Sequence, residues 1–250
     1  MNSTGYTQPV SKLHFLYRNE RNDFMTLKEM FAKVKTNPAF EGFITTDQMV
    51  LAIDVSAEQN ADVDEFAVAY MGFTDRSSSL NPKEKTNSYY YHGESSTKTG
   101  NQRTITFKCD RYKGDPFQDF VTRFDMKYAK GQKSIVRYAL INMLTGEGEI
   151  GKGTLILSDD GSGAPEENLS IGGSIKKSGE DPAELNYQGF GGYTLTDKSP
   201  TDWSSKYTSY YTRANGAFVA VKAAEGGSAP VWEKDKYYSK NTSEAASSNS

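Results

Sequence analysis

The chain has 250 residues, of which 36% are hydrophobic and 24% charged, with Lys+Arg 29 against Asp+Glu 32 and a formal net charge of -3. A protein that grips nucleic acid through its phosphates needs a strong basic excess, so this charge balance argues against tight DNA binding. The single cysteine, Cys109, leaves no internal disulfide, no cysteine-based zinc site and no CxxC redox pair. The N-terminus, MNSTGYTQPVSK, lacks the apolar stretch of a secretion signal, and no run approaches the roughly 18–20 apolar residues of a membrane span. Folding in a reducing cytoplasm is the expectation. Twenty-two Gly, 16 Tyr and abundant Ser and Thr fit short strands joined by turns.

Residues 1–20 read as a polar arm. A helix is predicted over 23–36: Phe24, Leu27, Met30, Phe31 and Val34 recur on one face, Thr26 and Glu29 have capping-box spacing, and Asn37-Pro38 stops it. VLAIDVS (50–56) reads as a strand, and FAVAYMGF (66–73) is a further apolar run. Residues 75–102 contain almost no aliphatic side chain besides Leu80 and read as a long polar loop, a length that is uncommon without a function. Within it the run Tyr89-Tyr90-Tyr91 argues against plain disorder, because aromatic rings need something to pack on.

RTITFKCD (103–110) alternates cleanly, with Ile105, Phe107 and Cys109 on one side. Asp115 as N-cap and Pro116 at the first helical position open a helix over about 115–130, striped by Phe117, Phe120, Val121, Phe124 and Tyr128. Strands follow at 134–143, 152–158, 168–176 and 216–223, with turns at Asp159-Asp160-Gly161 and Gly189–Gly192. The last twelve residues have no core-forming content and are expected to be disordered. Many short strands around one well-marked helix, without strand–helix alternation, predict a mainly β chain: an antiparallel β-sandwich or partial barrel with a flanking helix.

The chemical motifs are weak. Gly146–Gly151 matches GxGxxG, but a strand follows rather than the helix a dinucleotide site requires, and neither HRD nor DFG is present; a hairpin turn is the better reading. Asp159–Gly163 lacks the spacing and terminal Glu of an EF-hand. His14 and His92 have no GxSxG partner, and Cys109 sits in a strand with nothing to activate it, so it reads as a small core hydrophobe. Trp203, Tyr207, Tyr210, Tyr211, Trp232 and Tyr237-Tyr238 form either a platform that stacks sugars or bases or cross-strand and interface packing, the second being favoured. No constellation suits catalysis, and no metal or cofactor is expected.

The block GFTDRSSSLNPKEKTNSYYY (72–91), the Thr99-Gly100 turn and the strand and cap RTITFKCDRYKGDPFQDFV (103–121) resemble the tail tube, or major tail, proteins of long-tailed bacteriophages and prophages. The resemblance continues through 146–182 and covers roughly 50–182. It implies two packed antiparallel sheets with one flanking helix. It also implies hexameric rings joined through sheet edges and stacked into a hollow tube through which genomic DNA passes without tight binding. A long loop in that family reaches a neighbouring ring. Carried onto this chain, the contact loop comprises Ser77, Ser78, Ser79, Leu80, Asn81, Pro82, Tyr89, Tyr90 and Tyr91, and the turn and helix cap Gly114, Asp115 and Pro116. The expected organisation is then an N-terminal arm and helix at 1–48, a tail-tube-like β domain at 49–238 and a tail at 239–250. The implied partners are copies of the same chain with tape-measure and tail terminator or distal tail proteins, and the implied location is the virion tail, assembled in the bacterial host cytoplasm with no membrane association. Two further readings are a surface carbohydrate-binding β-sandwich and the inner tube of a contractile injection machine.

Overall fold

A computed structural model describes residues 25–224 and 227–241. The chain is mainly β, built on a curled antiparallel half-barrel with a few short helices. In order, the main elements are α1 (Leu27–Met30), β1 (Met49–Ile53), β2 (Ala67–Val68), β3 (Phe73–Ser79), β4 (Pro82–Tyr89), β5 (Gly93–Asn101), β6 (Thr104–Asp110), α2 (Pro116–Thr122), α3 (Phe124–Lys127), β7 (Ile135–Asn142), β8 (Glu147–Ser162), β9 (Ser170–Lys177), β10 (Ala183–Asn186), β11 (Tyr193–Leu195), α4 (Trp203–Lys206), β12 (Tyr210–Ala214), β13 (Ala217–Ala220) and β14 (Tyr237–Lys240). The half-barrel runs β2-β1-β7-β8-β9-β6-β3, with β10 paired to the start of β8; a second sheet runs β11-β14-β12-β13, and β4-β5 form a ladder of their own.

The concave face is filled by side chains the sequence pattern assigns to the core. Ile105, Phe107 and Cys109 of β6 meet Ile171, Ile175, Leu155, Val136, Tyr138 and Leu140, and Phe117, Phe120 and Val121 of α2 complete the cluster. Phe117 stands edge-on to both Phe73 and Phe107, each with ring centroids 5.3 Å away. Fully burying such a side chain stabilises by about 1.5–3 kcal/mol. Strands β1 and β7 are covered on both sides, because Val50, Ala52, Ala139 and Ile141 face a second cluster with Leu27, Phe31, Tyr187, Phe190 and Phe218. That is why MVLAI reads as an unbroken apolar run rather than an alternating one.

The second sheet docks on this outer cluster through one buried ion pair. Arg213 Nε donates to Asp64 Oδ2 at 3.0 Å and Nη2 to Oδ1 at 3.0 Å. Its guanidinium lies 4.7, 4.3 and 4.6 Å from the rings of Tyr187, Phe190 and Phe218. Tyr187 Oη also donates to Asp64 Oδ1 at 2.6 Å; burial, and then the neighbouring carboxylate, push its phenol above the ordinary range and keep it a donor.

Several expectations are corrected. The helix over 23–36 is a single turn: its Thr26–Glu29 capping box forms, but Phe31 ends it. Beyond that point Phe31 O and Val34 O accept hydrogen bonds from Phe190 N and Gly191 N, so the turn leading into β11 takes carbonyls a longer helix would use. The helix over 115–130 breaks at Arg123, whose ψ is 138, leaving α2 and α3. Thr122 Oγ1 bonds back to Gln118 O at 2.7 Å beside this break, a contact that bends helices. The GxGxxG stretch is not a hairpin turn as a whole: Gly146 sits in the turn with φ 80, while Gly148 and Gly151 lie inside β8. At Gly148 a Cβ would stand 2.4 Å from Leu140 O, so the close strand approach requires glycine. Asp159–Ser162 is not a turn but the bulged end of β8, opposite Gly172 and Ser170. Residues 239–240 belong to β14 rather than to a disordered tail, and Asn241 N donates to Gly192 O at 2.9 Å; residues 242–250, and the arm at 1–20, lie outside the described residues.

Candidate assembly interface

The largest departure from expectation is the stretch 75–102, which is not a loop. It is the distal part of one continuous β-hairpin. Ser79 faces Thr104 across β3-β6, and three residues further on each side Pro82 faces Asn101 across β4-β5, so the register carries through the junction. Asn81, at φ 42, makes the bend: its carbonyl accepts from Gln102 N at 3.2 Å, and its Nδ2 donates to Gln102 O at 3.1 Å and Thr104 Oγ1 at 3.2 Å. Gln102 Nε2 donates to Lys177 O at 3.0 Å and ties this base to β9. Beyond it, the eight residues of β4 extend the ladder by about 26 Å at roughly 3.3 Å per residue.

This ribbon buries no side chain on either face. Its strands are held by ladder hydrogen bonds and polar cross-strand pairs: Thr86 Oγ1 with Ser96 Oγ at 2.8 Å, Thr99 Oγ1 to Lys83 O at 3.1 Å, and Glu84 opposite Lys98. Two-stranded ribbons without an apolar face are marginal in water. At the tip, Tyr89 pairs with Gly93, and Tyr90, Tyr91 and His92 form the loop, with Tyr91 at φ 71. The rings of Tyr90 and Tyr91 stand free in solvent, 94% and fully exposed.

The residues of the expected contact loop therefore fall on three parts of one arm. Ser77, Ser78 and Ser79 lie in β3, with Ser77 Oγ 2.6 Å from Thr106 Oγ1; Leu80 and Asn81 form the bend, and Pro82 starts β4, where a missing N–H is tolerated. Gly114, Asp115 and Pro116 lie elsewhere, at the opposite end of the barrel. Asp115 Oδ1 accepts from Gln118 N at 2.9 Å and Oδ2 from Met71 N at 3.3 Å, and Gly114 N donates to Asp119 Oδ2 at 3.0 Å. Burial raises the Asp115 carboxyl above its ordinary range despite these bonds. The cap is a structural tie between α2 and the chain entering β3.

The two ends of the half-barrel path are treated differently. Strand β2 is covered: Val68 N donates to Met25 O at 2.9 Å, and Leu27 N to Phe66 O at 3.0 Å. The outer edge of β3 has no strand beside it among the described residues. Arg76 reaches from it to Thr46 O and borders a groove of about 310 Å³ lined by Ile44, Met49, Ser78 and Leu140. Next to this groove Phe43 is exposed. Sequence reading missed Arg76 and Phe43, and no spacing signal marks either.

The aromatic cluster near the C-terminus is core. Trp203 is buried, its Nε1 donates to Pro230 O at 2.7 Å, and its ring lies 5.4 Å from Tyr210 and 4.5 Å from Tyr237. Cys109 is likewise fully buried, and burial, with Asp115 adding to it, pushes its thiol up to about 12. Among the described residues, no group of three or more potential metal-ligating side chains comes together, and no helix is long and apolar enough to cross a membrane.

No family model and no curated protein matches this sequence. Several solved structures show similarity, three of them as follows. The tail of an empty gene transfer agent particle, refined helically with C6 symmetry, matches at 13% identity and a TM-score of 0.41, covering 55% of this chain and 96% of that one. The virion of a native gene transfer agent particle matches at 13% identity and 0.39, over 55% and 96%. The six-fold symmetrised baseplate of an anti-feeding prophage matches at 8% identity and 0.38, over 59% and 98%. All three TM-scores lie below 0.5, so the functional reading rests on the hairpin and the sheet edge.

Proposed function

We propose that this chain is a non-enzymatic, self-assembling structural subunit of a phage-type tail tube. The observation that carries the reading is the hairpin: an arm of about 26 Å that gains nothing from its own fold and ends in exposed tyrosines. An arm of this kind acquires buried surface by lying on another molecule. The edge of β3, uncovered among the described residues, supplies a second, lateral contact, since an open strand edge is a template for pairing. Lateral contacts that close give rings, and head-to-tail contacts that do not close give filaments. Hexameric rings stacked around a DNA-conducting lumen, as the resemblance over 50–182 implies, need both kinds. The partners are then copies of the chain itself with tape-measure and terminator or distal tail proteins at the ends, and the location is the virion tail after assembly in the host cytoplasm. The near-neutral charge suits a conduit that must release its passenger.

Negative-stain microscopy of the concentrated full chain is the test. Rings or tubes of uniform diameter are expected; a protein that stays monomeric across concentration and salt contradicts the proposal.

A further inference from the structure

The break at Arg123 has a consequence at the surface. The stripe Phe117, Phe120, Val121, Phe124 and Tyr128 would stay in the core along an unbroken helix. After the break its first three members are buried, while Phe124 and Tyr128 are 78% and 60% exposed, their rings 4.9 Å apart. Two large rings held against each other in water form an exposed aromatic patch, with Lys127 Nζ 5.6 Å from the Tyr128 ring centroid.

Strand direction places this patch. β3 runs from Phe73, beside α2, to Ser79, where the hairpin leaves. Asp115 holds Met71 at the first of these ends, and Lys127 of α3 pairs with Asp160 on the part of β8 that faces Gly172 and Ser170 at the same end. The exposed aromatic pair and the hairpin tip thus stand at opposite ends of the molecule. Their charges are complementary as well. From Thr86 to Thr97 the arm carries Glu94 and no Lys or Arg, whereas the pair is followed by Lys130 and Lys133, exposed and without an ion-pair partner among the described residues.

We propose that Phe124 and Tyr128 form the seat for the hairpin tip, Tyr89–Tyr91, of the next copy along the stack. This deepens the tail-tube reading and rests on it. The two halves of the contact are different surfaces at opposite ends, so each bound copy offers a fresh seat and the contact is open-ended. Aromatic rings meeting edge-on or offset supply the attraction, and Lys130 and Lys133 draw in the arm bearing Glu94.

Cysteine trapping in the full chain tests it, because native Cys109 is fully buried and stays silent. In assemblies of a Tyr91→Cys/Phe124→Cys double variant, mild oxidation should give a ladder of disulfide-linked oligomers on a non-reducing gel. Tyr91→Cys alone and Phe124→Cys alone should give none. Phe124→Ser/Tyr128→Ser should fold normally yet need about tenfold more protein to assemble, a change of about 1.4 kcal/mol in the contact. Assemblies without a ladder in the double variant overturn the seat, as do dimers from Tyr91→Cys alone, a ladder from Tyr91→Cys/Phe43→Cys instead, or Phe124→Ser/Tyr128→Ser assembling at the unchanged concentration. Failure of the unsubstituted chain to assemble at all removes the tube reading, and this docking with it.

Discussion

The proximal and distal halves of one hairpin differ in everything but backbone. In β3-β6, Ile105, Phe107 and Cys109 point into a closed apolar cluster, and a one-residue slip would expel all three. In β4-β5 the same ladder continues, shifted by one residue at a bulge between Lys83 and Glu84, but both faces meet water. Hydrogen bonds alone contribute only about 0.5–1.5 kcal/mol net each and must offset the entropy of ordering the chain. The proximal half is therefore part of the fold, and the distal half is an extension whose stabilisation comes from what it touches.

The contrast is broken most severely by removing the proximal core. Phe117→Ala deletes the ring that joins β3, β6 and α2 and is expected to cost about 3–5 kcal/mol in urea unfolding. Arg213→Ala leaves Asp64 buried without its partner and should cost a similar amount, about 3–5 kcal/mol, loosening the second sheet from the half-barrel. A smaller loss, about 1–2 kcal/mol, is expected for Asp115→Ala, which removes the helix cap.

Asp115→Asn sharpens the point through pH. Burial raises the Asp115 carboxyl in the folded state, so folding favours its protonated form; that contribution is full below the unfolded value and is lost as pH rises through the folded value. The neutral amide, whose Oδ1 still accepts from Gln118 N, escapes the burial cost of the charge but sets Nδ2 against Met71 N, so its stability relative to the wild type should be highest at neutral pH. That relative stability should fall on acidification, which unfolding curves at pH 7 and pH 4 would show. The smallest effect concerns reactivity alone: with its thiol pushed up to about 12, Cys109 should resist thiol reagents at pH 8 until the protein is denatured.

The apolar strands of the half-barrel were legible in the sequence, whereas β10 and β14, which bury Leu185, Tyr237 and Tyr238, were not. The alternation of 103–110, the Asp115-Pro116 cap and the core role of Cys109 each follow from a pattern with a local physical cause. The arm was not legible because strand patterns are recognised by an apolar face, and KEKTNSYY and GESSTKTGN have none. Its register is inherited from β3-β6, a tertiary fact no local window contains. The Phe124–Tyr128 patch was hidden for the opposite reason: its spacing continues the buried stripe, and only the break at Arg123 turns it outward. The truncated α1 was misread because carbonyls of 31–34 are taken by residues more than 150 positions away.

The most direct measurement exchanges the distal arm, 83–100, for a two-residue Asn-Gly turn and compares the product with the full chain by sedimentation velocity and urea unfolding. The account requires a monomer with a nearly unchanged unfolding midpoint that no longer forms long polymers at concentrations where the full chain does. Undiminished polymers from the armless protein, or an armless chain that cannot fold, would contradict it.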